Sequence, residues 1–136
     1  MFKIFDIFEP SVEGKPAECG RDSHGSTLTQ LPDGRIIVAW YAGPYEKSHL
    51  AAIYTSTFDP DSEEWTPVAI LEKEGQTKGE GNPVLFYDPE TKRLWLFWAT
   101  LDRADYKHIT GGWSTCKIKC KSSDDLGKTW SPPHIG

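Results

Sequence analysis

The sequence predicts an all-β protein built from β-propeller blades, each made of four antiparallel strands. Three observations support this prediction. Short segments rich in β-branched and aromatic residues run along the whole chain, and none has a sustained helical period. Turn residues separate these segments, in keeping with ten Pro and twelve Gly among 136 residues. The segments and turns also occur twice in the same order, which is typical of propeller blades.

Nine strands are predicted, and turn-forming residues mark the boundaries between several of them. The turn signals are Pro32-Asp33-Gly34, Asp59-Pro60-Asp61, Asp88-Pro89-Glu90 and Asp125-Leu126-Gly127. The predicted strands are Phe2–Phe8, Ser26–Leu31, Arg35–Tyr41, His49–Ser56, Thr66–Leu71, Pro83–Tyr87, Arg93–Ala99, Gly112–Ser122 and a short last piece at Ser131–Ile135.

The repeat divides the chain into two units. A turn, an Arg and an apolar strand ending in Trp40 recur 58 residues later around Arg93 and Trp98. A Trp followed two residues later by Pro also occurs twice, beginning at Trp65 and at Trp130. The sequence therefore predicts blade 1 over about residues 24–71 and blade 2 over about residues 82–136. An ordinary β-sandwich with chance similarity is the alternative.

The most specific motif lies between the last two strands. Residues 123–130 read Ser-Asp-Asp-Leu-Gly-Lys-Thr-Trp and fit the pattern S-x-D-x-G-x-T-W, known as the Asp box. In such a turn an Asp accepts backbone hydrogen bonds, a Gly supplies a positive φ and a Trp packs beneath the hairpin. We therefore assign structural roles to Ser123, Asp125, Gly127, Thr129 and Trp130.

The Asp box and the openings of both blades resemble the sialidase-like BNR repeat family. The resembling stretches are Cys19–Leu28, Leu31–Arg35, Ala39–Gly43, Gly81–Phe86 and Arg93–Phe97. The resemblance implies a six-bladed sialidase-type propeller, of which residues 1–136 hold about two blades. It also implies an exo-glycosidase chemistry in which terminal sugars are hydrolysed. In the same family pattern, the strand at Phe2–Phe8 would close a neighbouring blade.

Candidate site residues lie in the loops at the end opposite the Asp box, because alternate connections of an antiparallel blade share one end. His24 stands where the family has the first Arg of its carboxylate-binding triad. Glu46 lies in the loop where the family has its acid/base Asp. We predict that Glu46 and His24 are catalytic, although a structural role for His24 is an equal alternative. Predicted substrate-binding residues are Arg21, Asp22, Tyr45, Glu80, Asn82 and Arg103.

Three functions remain open at this stage. The first is a sialidase-like glycosidase whose site is incomplete in this chain, because the family's Tyr nucleophile, its partner Glu and a further Arg come from later blades. The second is a propeller polysaccharide lyase that uses His and Tyr, for which His24, Tyr45, Tyr106 and His108 are available. The third is a non-catalytic glycan-binding or assembly module.

Charge and cysteine content narrow the expected partners. The net charge of −5 argues against nucleic acid and anionic membranes, so a carbohydrate ligand is expected. Neither paired CxxC nor HxxxH spacing occurs, and no metal or cofactor is expected. The three cysteines and the absence of a signal peptide pattern predict a cytoplasmic location. Two isolated blades would expose apolar faces, so we expect either missing C-terminal blades or a homo-oligomer in which three copies close a ring.

Overall fold

The computed structural model describes residues 3–8, 22–45, 48–75, 77–101 and 112–136, and the strands there form two antiparallel sheets. Blade 1 contains the strands β1 to β5 and blade 2 contains β6 to β9. The strands are β1 (Asp22–Gln30), β2 (Ile36–Gly43), β3 (Ala52–Asp59), β4 (Glu64–Trp65), β5 (Ala69–Glu72), β6 (Glu80–Asp88), β7 (Arg93–Thr100), β8 (Lys117–Ser123) and β9 (His134–Ile135).

The two sheets have the same strand order, as the sequence repeat predicts. Blade 1 runs β1-β2-β3-β4, with β5 also paired to β3, and blade 2 runs β6-β7-β8-β9. The inner strand of each blade carries a register shift, between His24 and Thr27 in β1 and between Gly81 and Val84 in β6. Such bulges redirect side chains at the end of a strand.

The turns form through short polar side chains, as their composition predicts. In the β1–β2 turn, Asp33 accepts a hydrogen bond from the backbone N–H of Arg35 at 3.1 Å, and Gly34 has a φ of 91°. In the β6–β7 turn, Asp88 accepts from the N–H of Glu90 at 3.0 Å. These interactions fix the tight reversals that the flanking strands need.

The main hydrophobic core lies between the two blades. Ile37, Ala39 and Tyr41 of β2 and Ile53 of β3 pack against one side of blade 2. The facing residues of blade 2 include Leu85, Leu94, Leu96 and Trp98, which are 5% exposed or less. The inner strands are also joined directly, since the backbone N–H of Leu85 donates to Thr27 Oγ1 at 3.2 Å.

Several predicted strands differ in detail from the structure. The strands β1 and β6 begin at Asp22 and Glu80, before the predicted starts at Ser26 and Pro83, so His24 and Asn82 lie within strands and not in loops. Residues 3–8 form no strand; Ile7 and Phe8 instead pack against a second cluster around Trp40, on the side of blade 1 that faces away from blade 2. The predicted strand Thr66–Leu71 is divided into the short β4 and β5, with Pro67 between them. The predicted strand Gly112–Ser122 begins with a 3-10 helix, Gly112–Thr115.

The Asp box closes the connection between β8 and β9 with side-chain hydrogen bonds. Asp125 accepts hydrogen bonds from the Thr129 backbone N–H at 2.8 Å and from Ser123 Oγ at 2.7 Å. The Thr129 hydroxyl is the largest influence on the Asp125 carboxyl and, with the other donors, lowers its pKa to about 2. Gly127 has a φ of 91°, and Trp130 packs against the core between the blades.

Candidate functional site

The candidate site is at the end of the blades opposite the Asp box, which we call the site end. The strand ends that flank the β2–β3 connection, the connection between the blades and the β7–β8 connection all lie there, because these connections alternate with the Asp-box-side turns in an antiparallel blade. Contacts between backbone groups hold two of these connections together. The Glu80 N–H donates to the Ala51 carbonyl at 3.0 Å, and the Leu101 N–H donates to the Gly79 carbonyl at 2.9 Å.

Five of the predicted site residues lie in the described part of the chain, and all five are near strand ends or connections at the site end. They are Asp22, His24, Tyr45, Glu80 and Asn82. The predicted residues Arg21, Glu46 and Arg103, together with Tyr106 and His108 of the lyase alternative, lie outside the described residues. The role of Glu46 as a proton donor therefore stays a prediction.

His24 is an exposed residue positioned by an aromatic partner. Its imidazole stacks on the ring of Tyr41, with 5.5 Å between ring centroids and an angle of 29°. Gly25 follows it with a φ of 56°, and a Cβ at this position would be 2.7 Å from the Tyr41 ring. Residue 25 must therefore be glycine for the chain to pass this close to the stacked rings of His24 and Tyr41.

Asn82 brings a side-chain amide from blade 2 to the same region. It is exposed and has a φ of 46°, a backbone conformation that Asn tolerates better than most residues. Its Oδ1 lies 3.7 Å from where a Cβ of Gly25 would stand. The bulges in β1 and β6 thus place the residues next to His24 close to an amide from the neighbouring blade.

Trp113 adds an aromatic surface beside Asn82. Its ring meets Tyr41 edge-on, with 6.1 Å between centroids and an angle of 76°. It lies against Gly81, where a Cβ would be 2.6 Å from the indole Cη2 atom. A glycine at residue 81 is therefore needed for the indole to occupy this position.

Glu80 is the first residue of β6 and precedes Gly81. It is 1% exposed, and the hydroxyl of Thr100 donates to its Oε2 at 2.7 Å. Burial raises the pKa of the Glu80 carboxyl, because removal from water disfavours its charged form more than Thr100 and the charge of Lys119 stabilise it. Its burial suits a positioning role, whereas direct substrate contact stays a prediction.

Comparison with known proteins identifies the family. A model of the BNR repeat-like domain matches residues 34–135, which is most of the chain. The chain belongs to the BNR repeat-like domain family. A search of curated proteins finds no match.

The fold of this BNR repeat-like chain is shared with a solved sialidase. The solved protein is described as Hadza microbial sialidase Hz136, and it matches with a TM-score of 0.65 at 20% sequence identity. The match covers 83% of this chain and 25% of the solved one, so this chain spans about a quarter of that protein's length. The predicted fold class, of sialidase-type propeller blades, is confirmed, and so is the family.

The sequence reasoning missed two residues of the site, Tyr41 and Trp113. In the sequence, Tyr41 resembles an ordinary core residue of an apolar strand, and Trp113 falls within the predicted strand Gly112–Ser122. The signal that could have found Trp113 is Gly81, because a glycine within a strand often marks a close approach by another group.

The described part of this BNR repeat-like chain has binding groups at the site end but few groups for acid–base chemistry. His24 and Tyr45, which is 40% exposed, are the accessible titratable side chains among those predicted, and Asp22 is half-buried. Within the described residues, no three His, Cys, Asp or Glu side chains are arranged to hold a metal ion. The same residues include no helix long and apolar enough to cross a membrane.

Proposed function

We propose that this chain supplies one sector of a carbohydrate-binding site in a sialidase-like glycan-processing protein, of the class that hydrolyses terminal sugars. The observation that carries the proposal is the arrangement of His24, Asn82 and Trp113 at the site end. The family and the name of the solved structure with the same fold agree with a glycan ligand.

The chemistry of these groups suits a sugar. An aromatic ring packs against the apolar C–H face of a pyranose, and an amide forms directional hydrogen bonds with its hydroxyls. Trp113 and Asn82 are adjacent in this way, and both are fixed by the backbone at residues 81 and 82. Because these groups are held in place before the ligand arrives, little side-chain entropy is lost on binding.

Hydrolysis needs more than these binding groups. A retaining glycosidase needs a nucleophile and an acid/base group that face each other across the sugar, and the nucleophile of the family that this chain resembles is a Tyr. Glu46 is the carboxylic acid that we propose as proton donor, with His24 as a second catalytic or substrate-contacting group. The binding proposal does not depend on these two roles.

Binding and turnover are tested separately with the 136-residue chain. Ligand-observed NMR with sialic acid should show binding, and His24→Ala or Asn82→Gly should weaken it about tenfold, or about 1.4 kcal/mol. Glycine at residue 82 removes the amide but keeps the positive φ accessible. Lys128→Ala, an exposed change at the Asp box end, is the matched control and should leave binding unchanged.

Further assays distinguish the other candidate functions. Release of the fluorophore from a fluorogenic sialoside would support hydrolysis, and new absorbance from an unsaturated uronate would support the lyase alternative. Absence of turnover together with absence of sialic acid binding would overturn the proposal. If no glycan on an array binds the chain, the assembly role is the function that remains.

A further inference from the structure

Tyr41, at the site end of β2, lies between two of the groups that we assign to the candidate site. Its ring stacks on the imidazole of His24, with 5.5 Å between ring centroids, and it meets the indole of Trp113 edge-on at 6.1 Å. His24 belongs to β1 of blade 1, whereas Trp113 belongs to the 3-10 helix that precedes β8 of blade 2. One ring therefore contacts an aromatic side chain of the site from each blade.

The backbone of the bulge in β1 also lies against this ring. A Cβ on Gly25 would be 2.7 Å from the Tyr41 Cε1 atom and 3.7 Å from Asn82 Oδ1. The bulge, which shifts the register between His24 and Thr27, therefore packs directly on the ring. A change in the size of the Tyr41 side chain would alter the space available to the imidazole and to the backbone that faces the Asn82 amide.

Tyr41 is buried, whereas the side chains that it contacts reach solvent. It is 7% exposed and belongs to the core between the blades, together with Ile37 and Ile53. His24 is exposed and Trp113 is half-buried. An effect of Tyr41 on a ligand must therefore pass through the side chains that it holds in place.

Blade 2 shows that the fold of a blade does not require a large side chain at this position. Tyr41 and Ala99 correspond, because each lies six residues after the Arg that begins its apolar strand. Their partners correspond as well: His24 pairs with Tyr41 just before the bulge of β1, and Gly81 pairs with Ala99 just before the bulge of β6. An alanine thus suffices where blade 2 forms the same pair of strands with the same bulge.

The small pair in blade 2 and the large pair in blade 1 together place the indole of Trp113. The indole lies against Gly81, where a Cβ would be 2.6 Å from its Cη2 atom. It reaches the Tyr41 ring of the other blade and lines a cleft with Asn82. The difference in size between the two corresponding positions therefore sets where the aromatic surface of the site lies.

We propose that Tyr41 is a positioning residue of the site, which fixes His24 and Trp113 relative to each other and thereby sets the affinity for a carbohydrate. This inference rests on the proposed function, because it concerns the same site. It deepens that function by assigning the arrangement of the binding groups to one buried ring. Without the ring, the imidazole and the indole must both be ordered when the ligand binds, and this ordering lowers the affinity.

Two substitutions separate this role from a general role in the core. Tyr41→Leu fills the core but cannot stack on an imidazole, whereas Tyr41→Phe keeps the ring. Nuclear magnetic resonance of the 136-residue chain follows the Hε1 signal of His24, assigned as the signal that is absent in His24→Ala. Because a stacked ring shifts the resonance of its neighbour, Tyr41→Leu should move the His24 signal and Tyr41→Phe should leave it near its wild-type position.

Sialic acid is the probe for binding. Tyr41→Leu should weaken its binding about tenfold, as expected when two side chains must be ordered on binding, and Tyr41→Phe should stay within about twofold of the wild type. Ile37→Ala is the matched control, since Ile37 lies on the same strand and in the same core but next to Gly127 of the Asp box. It should lower stability and leave both the His24 signal and the affinity unchanged.

Circular dichroism checks that each variant keeps its β structure. If Tyr41→Leu does not fold, Tyr41→Met takes its place, because the flexible Met side chain fills irregular space in a core and also lacks a ring. A folded variant without the ring that keeps either the His24 signal or the wild-type affinity overturns the inference. So does an Ile37→Ala variant that loses as much affinity as Tyr41→Leu, since the effect would then belong to the core as a whole.

Failure of the proposed function has a different result. A wild type that binds no sialic acid contradicts that function, whatever the Tyr41 variants do. The His24 signal, which needs no ligand, then decides whether Tyr41 positions the groups at the site end.

Discussion

Replacing Lys121 by Met should weaken the junction between the blades. The Lys121 side chain is 8% exposed, and its Nζ lies 2.9 Å from Glu72 Oε2 on β5 of blade 1. The same Nζ donates a hydrogen bond to the Leu71 carbonyl and lies 5.8 and 5.5 Å from the ring centroids of Trp98 and Trp130. Met keeps most of the apolar stem, so Lys121→Met removes mainly the charge and its hydrogen bonds.

The expected loss of stability depends on how deeply Glu72, the partner of Lys121, is buried. Removing one member of a buried ion pair costs about 3–5 kcal/mol, because the other charge is left without compensation. The Glu72 side chain is 20% exposed, so water partly solvates the carboxylate that remains. We therefore expect Lys121→Met to lower the free energy of unfolding by about 3 kcal/mol. In a domain of this size that corresponds to a fall of roughly 10 °C in Tm.

Urea unfolding of four proteins measures this effect: the wild type, Lys121→Met, Glu72→Gln and the double variant. The double variant should lose less free energy of unfolding than the sum of the losses in the two single variants, by at least about 1.5 kcal/mol, because it leaves no unpaired charge. Lys117→Met on the same strand is the control, and since Lys117 is exposed it should change stability by less than about 0.5 kcal/mol. Additive costs, or a Lys121→Met variant as stable as the control, would refute the reasoning.

Three further predictions concern the site end and the Asp box. Gly81→Ala should displace Trp113, since the new Cβ would be 2.6 Å from the indole. We expect the free energy of unfolding to fall by about 1–3 kcal/mol and the tryptophan emission spectrum to change. An unchanged spectrum would contradict this. Glu80→Gln keeps an acceptor for Thr100 but cannot ionise. Since the folded pKa of Glu80 is raised above 4.5, its favourable contribution is complete below about pH 4.5 and is lost as pH rises through the folded pKa. The variant should therefore gain stability relative to the wild type as pH rises above about 4.5, which urea unfolding at several pH values measures. Asp125 has a lowered pKa, so its contribution to stability is present above about pH 3.8 and is lost as pH falls toward 2. The variant Asp125→Asn should therefore be less stable than the wild type at neutral pH. Acid unfolding curves should show this difference in stability shrinking between about pH 3.8 and 2.

Much of the fold could be predicted because its determinants are local. Turns at Asp33 and Asp88 depend on side chains that bond to backbone groups two residues away. The Asp box likewise closes through contacts between residues at most four positions apart. Continuous runs of β-branched, aromatic and other apolar residues in β2 and β7 predict strands regardless of what covers them.

Other parts of the sequence were ambiguous for physical reasons. Residues 3–8 have the apolar content of a strand. In the structure Phe8 instead stacks on Trp40, and this contact between residues far apart in the sequence is not indicated by the local pattern. Thr66–Leu71 has strand-forming residues, yet Pro67 lacks an N–H and separates β4 from β5. In each case a tertiary contact or a single backbone group overrides the local pattern.

The candidate site was only partly predictable. The sequence alone places His24, Glu80 and Asn82 in loops at one end of the blades, because strand order fixes the end at which each connection lies. The structure keeps them at that end but within the first residues of β1 and β6. It does not show that Glu80 is buried under Thr100, or that Trp113 belongs to the site. Those facts depend on packing between residues that are twenty or more positions apart in the sequence.

The sequence by itself determined the family, the repeated four-stranded blades and the end of the molecule at which the polar loops meet. These follow from periodicity and turn chemistry, which act over a few residues, and from a repeat that can be read by comparing the chain with itself. Only the tertiary structure decided which side chains meet there and which sheet faces stay open. The bulges in β1 and β6 set the contact between His24 and Tyr41 and the position of Asn82, and the docking of one blade on the other buries Leu85 while leaving Leu28 exposed.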